Sequence, residues 1–260
     1  VKYMSEKYPD VSIAIAGRNK EKLEMVRSRH GLSCPIVVAD AFDVEALDKM
    51  CQDAEVILST AGPYHKYGSD LVRSCVNAGC HYVDITGESF WIRDQIEKHH
   101  KDAEAKGVRI INACGFDSAP SDLGVFYAVN KVVGEVESVH CFQALKGESS
   151  GGTMETMFSS VDAKLTKGGL GKFSLNPENT VSVHQKKMTN DKIKIKKIPH
   201  IGGWTGPFIM ALPNTRVVRR SAALSKKIGK YYGENFVYSE GAYYSNKGAA
   251  RKVSIMTLVL

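Results

Sequence analysis

The sequence predicts a doubly wound α/β fold, in which a parallel sheet is covered by helices on both faces, followed by a smaller α+β region. Five short apolar runs in the first half alternate with helical stretches of about ten to eighteen residues, the spacing of crossovers between parallel strands. The composition is 43% hydrophobic and 24% charged over 260 residues. It is that of an ordinary folded protein and excludes a disordered or fibrous chain.

The strands and helices of the first half follow in strict alternation. The predicted strands are Val11–Ala16, Pro35–Ala39, Glu55–Thr60, His81–Thr86 and Val108–Ala113. The predicted helices are Lys20–Arg29, a helix capped by Asp43 with Leu47 and Met50 on one side, Ser69–Ala78 and Ser89–Lys106. Gly79 and Gly107 follow the last two helices, as glycine commonly does at helix C-termini.

The second half is predicted to be a smaller mixed domain, which places the domain boundaries at residues 1–125 and 126–260. Its predicted elements are a strand in Val136–Leu145, a helix in Met154–Leu165 and a strand in Lys192–Ile198. Trp204 and Phe208 are expected either to line a substrate cleft between domains or to pack in the core.

Charge is unevenly placed along the chain. Residues 1–125 carry 15 Lys+Arg against 19 Asp+Glu, net −4, whereas residues 126–260 carry 20 against 9, net +11. In the strand Lys192–Ile198, lysines alternate with isoleucines, which indicates one solvated face and is typical of a protected edge strand. Contact with an anionic membrane or partner is the alternative. Nothing resembles a nucleic-acid-binding module, so no nucleic-acid partner is expected.

The six cysteines predict neither a disulfide framework nor a metal site. They are spread over the chain without a Cys-x-x-Cys pair, and there is no glycosylation sequon. We interpret them as reduced thiols of an intracellular protein, with Cys75 and Cys80 in core packing. No segment approaches the ~20 apolar residues of a membrane span. Membrane attachment is left open, because the apolar run Val253–Leu260 reaches the end of the sequence.

Four of the five predicted strand ends contain glycine, which permits close backbone approach to a ligand. These ends are Gly17-Arg18-Asn19, Asp40, Ala61-Gly62-Pro63-Tyr64, Thr86-Gly87-Glu88 and Cys114-Gly115-Phe116-Asp117-Ser118. Turn formation would explain any one of them. Ligands of such sheets bind beyond the carboxyl ends of the strands, so their recurrence on one sheet edge favours a nucleotide site.

Arg18 is the residue that indicates which nucleotide is bound. A cationic residue at the end of the second strand of a dinucleotide domain pairs with a 2′-phosphate, where an acidic residue would bind ribose hydroxyls. The guanidinium makes bidentate bonds to phosphate, and Asn19 and Lys22 add donors. The alternative is an exposed arginine at a helix start.

The glycine-rich G-x-G-x-x-G loop of a dinucleotide domain is not found before Val11, because residues 1–10 are typical of the end of a helix. The first strand of such a domain is central in the sheet. We therefore expect a sequence truncated at both ends, whose second and fourth strands lack their common neighbour.

Taken together, the strand-end motifs resemble those of the saccharopine dehydrogenase-like oxidoreductases. The motifs are Ala16-Gly17-Arg18-Asn19 with Lys22-Leu23, Ala61-Gly62-Pro63-Tyr64 with Tyr67-Gly68, His81-Tyr82-Val83-Asp84-Ile85-Thr86-Gly87-Glu88, Cys114-Gly115-Phe116-Asp117-Ser118 with Pro120 and Asp122-Leu123-Gly124, and Leu212-Pro213 with Val217-Val218-Arg219-Arg220-Ser221. The resemblance implies an N-terminal Rossmann domain that binds NADP, with NAD as the alternative, and a second α+β domain. It also implies a location at lipid droplets, mitochondria or another membrane.

The resemblance implies NAD(P)-dependent hydride transfer to a lipid- or amino-acid-derived substrate. The predicted cofactor-binding residues are Arg18, Asn19, Lys22, Ala61, Gly62, Pro63 and Tyr64. Tyr64, His65 and Asp117 are the candidates for the catalytic proton donor; His65 has the ordinary pKa nearest neutrality, and helix capping is the alternative role of Asp117. A catalytically inactive membrane- or lipid-droplet-associated binding protein is the alternative function. A homodimer is left open.

Overall fold

The computed structural model describes residues 1–144, 171–191, 194–225, 229 and 232–252. The chain forms two compact units, which are residues 1–83 with 97–111 and residues 84–96 with 112–260. The predicted helix Met154–Leu165 lies outside the described residues. The domain boundary between residues 125 and 126 stays a prediction.

The first unit alternates strands and helices as the sequence predicts. Its strands are β1 (Ile15–Gly17), β2 (Ile36–Val38), β3 (Val56–Ser59), β4 (His81–Asp84) and β5 (Ile110–Ile111). The helices that precede or connect them are α1 (Lys2–Lys7), α2 (Lys20–Arg29), α3 (Val44–Gln52), α4 (Tyr64–Tyr67), α5 (Ser69–Ala78) and α6 (Ser89–Ala105). The last residue of β4 and the first half of α6 belong to the second unit.

The strands of the first unit form two sheets. β1 pairs with β2 in parallel, with Ile15 opposite Ile36. β4 pairs with β5 in parallel, with Tyr82 opposite Ile110, and β3 lies on the other side of β4. Within the described residues no pairing joins β1 to β3. The α/β prediction of parallel strands with helical crossovers is confirmed.

Local side-chain chemistry explains where the helices begin and end. The Asp43 carboxylate accepts a hydrogen bond from the Ala46 amide at 3.0 Å and so caps α3. Gly79 after α5 has φ 79°, a left-handed conformation that glycine adopts without strain. No disulfide joins the six cysteines. Cys51 Sγ lies 3.6 Å from Cys75 Sγ, and both side chains are buried, as is Cys80.

The second unit is a mixed α+β arrangement, as predicted. Its elements are α7 (Ala119–Val129), β6 (Ser138–Gln143), α8 (Val183–Met188), β7 (Lys196–Ile198), a 3-10 turn (Pro199–Ile201), β8 (Gly203–Gly206), α9 (Ala211–Ser225) and β9 (Val237–Tyr244). The strands lie in the order β6-β9-β8-β7; β6 runs parallel to β9, and the other two pairs are antiparallel. The largest described core packs α7 and α9 on β9 through Val125, Val218 and Tyr238.

The lysine-rich strand lies at the edge of this sheet, as the alternating pattern predicts. β7 has β8 as its neighbour on one side. Lys196 and Lys197 are exposed while Ile198 is buried, so solvated lysines occupy an edge where another chain could otherwise pair. Residues 192 and 193 lie outside the described part. Trp204 of β8 is half-buried, and its cleft role stays a prediction. No described helix is both long and apolar enough to span a bilayer.

Candidate functional site

The predicted phosphate-binding residues lie together where β1 ends and α2 begins. Arg18 and Lys22 are exposed at this position. The Asn19 Oδ1 atom accepts a hydrogen bond from the Lys22 amide at 2.8 Å and caps the helix. Two cationic side chains thus stand beside the positive end of a ten-residue helix. This donor set fits the 2′-phosphate of NADP.

The loop after β3 holds the other predicted cofactor residues. Ala61 and Gly62 are exposed, and Pro63 and Tyr64 are buried; the Gly62–Pro63 peptide bond is cis. The Tyr64 hydroxyl donates a hydrogen bond to the Ser59 carbonyl at 3.0 Å, which ties the start of α4 back to the end of β3. The exposed backbone of this loop can approach a bound nucleotide. Tyr64 stabilises the loop through this hydrogen bond.

The three proton-donor candidates are distributed over both units. Tyr64 and His65 are neighbours in α4 of the first unit, where His65 is half-buried. Asp117 belongs to the second unit and is exposed. Ser118 occupies the N-cap position of α7 without a side-chain hydrogen bond to the helix, and a capping role of Asp117 stays a prediction. Their catalytic roles stay predictions.

Asp84, the last residue of β4, joins two loops of the second unit. Its carboxylate is buried and accepts hydrogen bonds from the amides of Thr86 and Ala113, at 3.0 and 2.9 Å, and from the Asn112 side chain at 2.7 Å. A carboxylate with several donors is stabilised in its charged form. The backbone at Gly115 approaches this region closely, since a Cβ there would lie 3.1 Å from the Ile85 Cβ. Asp84 therefore positions loops rather than delivering a proton.

A buried carboxylate centres the polar network of the second unit. Glu240 of β9 is 2% exposed. Its Oε1 accepts from Asn214 Nδ2 at 2.9 Å and from Ser121 Oγ at 3.2 Å, and its Oε2 accepts from the Tyr238 hydroxyl at 2.9 Å. Asn214 in turn accepts from Ser118 Oγ at 2.8 Å. The network joins α7, α9 and β9.

Burial controls the protonation chemistry of this network. Loss of hydration raises the pKa of Glu240, while its hydrogen bonds from Asn214 and Tyr238 lower it. The pKa of Tyr238 is raised by burial and by the adjacent Glu240 charge. Cys141 has a raised pKa for the same two reasons, burial first. A hydroxyl and a thiol with raised pKa values are poor proton donors near neutral pH.

Two buried arginines of α9 share one carboxylate. Arg216 and Arg219 are 2% and 4% exposed. Each lies 2.7 Å from a different oxygen of Asp191. Arg219 also donates to the carbonyls of Lys172 and Tyr238 at 2.8 and 3.0 Å. Burial lowers the pKa of Arg216, against the opposing effect of Asp191. These contacts fix α9 to the chain around it.

No sequence motif predicted a role for Glu240 or Asp191. The alternation of residues in β9 does, however, indicate that Glu240 is buried. In β9 the residues Tyr238, Glu240 and Ala242 alternate onto one face, which places a carboxylate on an otherwise apolar side of the strand. A carboxylate buried on such a face needs hydrogen-bond donors, because burial removes its contacts with water. Arg219 stood within a family motif, but its partner Asp191 lies 28 residues away along the chain. Sequence spacing gives no sign of that pairing. Among the described residues, no group of His, Cys, Asp or Glu is arranged to hold a metal ion.

Asp122 of α7 makes the stability of the second unit depend on pH. Burial raises the pKa of this carboxyl from 3.8 to about 6, although Ser221 Oγ donates to it at 2.9 Å. The folded state therefore binds the proton more tightly, and stability falls as pH rises from about 4 to 6. We expect Asp122→Asn to raise the free energy of unfolding by about 1–2 kcal/mol at pH 8 and to leave it unchanged near pH 4.

Urea unfolding at the two pH values, followed by tryptophan fluorescence, tests this expectation. Trp91 and Trp204 are the two tryptophans, and both lie in the second unit. Glu234→Gln, at an exposed position of the same unit, is the matched control and should change neither value. An equal effect of Asp122→Asn at both pH values would show that charge is not the cause.

Comparison with known families identifies the first part of the chain. Residues 3–111 match the family model described as the saccharopine dehydrogenase NADP-binding domain. The match covers Arg18, Asn19 and Lys22 and the loop after β3. It confirms the resemblance predicted from the motifs and the prediction of NADP as the cofactor of this domain family.

Proteins similar to this chain occur in mycobacteria. One from Mycobacterium tuberculosis is 35% identical over 271 residues, which cover 98% of this chain and 64% of that protein. The trans-acting enoyl reductase of Mycobacterium leprae is 37% identical over 253 residues, 88% of this chain and 58% of its own length. That of Mycobacterium ulcerans is 35% identical over 263 residues, 92% and 60% of the two chains. This chain therefore spans about 60% of the length of these relatives.

A solved structure is also similar over part of the chain. Apo histidine-tagged saccharopine dehydrogenase (L-Glu forming) from Saccharomyces cerevisiae superposes with a TM-score of 0.44 at 19% sequence identity. The superposition covers 51% of this chain and 28% of the yeast enzyme.

Proposed function

We propose that the protein, whose residues 3–111 match the model of the saccharopine dehydrogenase NADP-binding domain, is an oxidoreductase that uses NADPH to reduce an unsaturated, lipid-derived substrate. The observation that carries the proposal is the position of Arg18 and Lys22, exposed at the end of β1 beside the start of α2. The names of the mycobacterial relatives support an enoyl group as the reduced function. An imine derived from an amino acid is the other substrate class expected from the sequence.

In such a reaction, different residues of this chain would bind the cofactor and supply the proton. NADPH, when bound, supplies the hydride. Arg18 and Lys22 would hold its 2′-phosphate through charge-assisted hydrogen bonds, and the exposed backbone at Ala61 and Gly62 would border the nucleotide. The proton that completes the reduction would come from His65, from Asp117 or from solvent, because the hydroxyl of Tyr64 is engaged with the Ser59 carbonyl.

A fluorescence titration of NADPH and of NADH into the full-length protein tests the proposal, with Arg18→Ala in parallel. We expect wild type to bind NADPH more tightly than NADH. In the variant, NADPH affinity should fall by about 10- to 100-fold, the cost of one charged hydrogen-bonding partner, while NADH affinity changes little. Arg29→Ala removes an exposed arginine from the opposite end of α2 and should leave both affinities unchanged. If wild type binds neither nucleotide, the oxidoreductase proposal fails.

We also retain the second candidate, a membrane- or lipid-droplet-associated binding protein without turnover. The observation in its favour is the pair of exposed lysines, Lys196 and Lys197, on the edge strand β7. Such lysines are attracted to anionic surfaces. Co-sedimentation with anionic lipid vesicles, combined with absence of nucleotide binding, would favour this candidate and a location at a lipid droplet or mitochondrial membrane.

A further inference from the structure

Three cysteine side chains meet in the interior of the first unit. Cys51 of α3 and Cys80, which follows α5, are each 1% exposed, and Cys75 of α5 is fully buried. The sulfurs of Cys51 and Cys75 lie 3.6 Å apart, and the Cys80 thiol interacts with Cys75. A buried cysteine commonly packs as a small apolar side chain. Here, however, two thiols from different helices are already in contact with one another.

The packing of α3 on α5 holds the two sulfurs together. Ser74, next to Cys75, donates a hydrogen bond to the carboxylate of Asp48, which lies one helical turn before Cys51. This second contact fixes how the two helices lie along one another. A disulfide needs its sulfurs about 2 Å apart, so the bond requires them to approach by about 1.5 Å. Small rotations of the two side chains produce a movement of this size.

We propose that Cys51 and Cys75 form a reversible disulfide when a hydroperoxide oxidises the protein. The Cys51 sulfur attacks the peroxide, its O–O bond breaks, and a sulfenic acid forms on Cys51 while the thiol proton goes to the departing oxygen. The Cys75 sulfur then displaces hydroxide from the sulfenic sulfur, and the hydroxide takes the Cys75 proton and leaves as water. The two thiols lose two electrons, which reduce the peroxide to water or an alcohol.

The surroundings of the sulfurs determine the order of these steps. A hydrogen bond from Cys75 lowers the pKa of the Cys51 thiol, against the opposing effects of burial and of Asp48. The same hydrogen bond and burial raise the pKa of Cys75. Because the thiolate is the nucleophilic form, Cys51 reacts with the peroxide first. Burial keeps larger thiol compounds away from the sulfenic acid, so the adjacent Cys75 completes the reaction within the chain.

The disulfide would connect two helices whose cysteines are 24 positions apart in the sequence. Such a cross-link restricts the unfolded chain and thereby stabilises the folded state. Helix α5 directly follows α4, so the bond would also tie the segment after β3 to α3. The stability of the first unit would then depend on the redox state of its interior.

Hydrogen peroxide treatment of the full-length protein, followed by peptide mass spectrometry without reduction, tests the proposal. We expect a cross-linked peptide pair that contains Cys51 and Cys75 and that dithiothreitol separates. Cys51→Ser should abolish the cross-link, whereas Cys80→Ser should retain it. Cys34→Ser, at a half-buried position of the same unit, is the matched control and should also retain it. A bond between Cys75 and Cys80 would overturn the proposal, as would free Cys51 and Cys75 in protein whose exposed Cys114 is oxidised.

Melting curves followed by circular dichroism test whether the bond forms in the folded protein. The oxidised protein should keep its helical signal, and its melting midpoint should rise by about 5–10 °C and return after dithiothreitol. In Cys51→Ser, peroxide should leave the midpoint unchanged. A cross-link that appears only in urea, or only with loss of the helical signal, would overturn the proposal, because the thiols would then meet only in the unfolded chain. These measurements use no nucleotide, so their outcome is independent of the proposed function.

Discussion

Replacing Glu240 by alanine is expected to lower the free energy of unfolding of the second unit by about 3–5 kcal/mol. The change removes the acceptor of three hydrogen bonds, from Tyr238, Asn214 and Ser121, and leaves those donors in a region closed to water. Each buried donor without a partner costs about 1–3 kcal/mol. Urea unfolding followed by the fluorescence of Trp91 and Trp204 measures the loss.

Two further variants make this result interpretable. Glu240→Gln keeps an acceptor oxygen and the side-chain volume, so we expect a loss of about 1–2 kcal/mol. Glu234→Ala, at an exposed position six residues earlier, should leave the midpoint unchanged. A Glu240→Ala protein within about 1 kcal/mol of wild type would mean that water replaces the carboxylate, and the network would not be a source of stability.

The second large effect is expected at Arg219. Arg219→Met keeps an unbranched apolar stem but removes the guanidinium, which bonds to the Lys172 and Tyr238 carbonyls and to Asp191 and lies 5.4 Å from the Phe173 ring centre. We expect a loss of about 3–5 kcal/mol, measured by the same unfolding experiment. Arg220→Met is the control on the same helix. It removes a single described hydrogen bond, which Arg220 donates to the Leu175 carbonyl at 2.5 Å. It should cost about 1–2 kcal/mol.

A double-mutant cycle separates the ion pair from the other contacts of Arg219. Asp191→Asn weakens the pairing of both arginines, and Arg219→Met removes one of them. If the pair contributes, the double variant should lose less than the sum of the single losses, by about 1 kcal/mol or more. Strict additivity would assign the whole effect to the carbonyl contacts and the aromatic ring.

The sequence was sufficient to predict the first unit because its signals are local. An apolar run followed by an amphipathic stretch and a glycine, as in Ser69–Ala78 with Gly79, contains the information for a strand, a helix and its end. The predicted bounds of α2 and α5 agree with the structure. Predicted strands were longer than observed, since apolar residues continue past the last paired position, as at Val11 before Ile15.

The candidate site was predictable to the extent that it follows strand ends. The end of β1 brings Arg18, Asn19 and Lys22 together because a helix start holds consecutive residues in one turn. The bonds that hold the second unit join residues far apart in sequence, such as Ser121 with Glu240, 119 positions away. Pairings of this kind are decided by packing and desolvation, and no short pattern records them.

The division of the first unit into two sheets affects the backbone groups along the borders of β1 and β3. Within the described residues β1 and β3 each have a strand neighbour on one side, and Val56 and Leu58 of β3 are 53% and 66% exposed. Backbone groups along such a border can recruit any extended peptide, and apolar side chains strengthen the attachment. A further strand is therefore expected to pair readily at either border. The amide protons along these borders should exchange with deuterium earliest within the first unit.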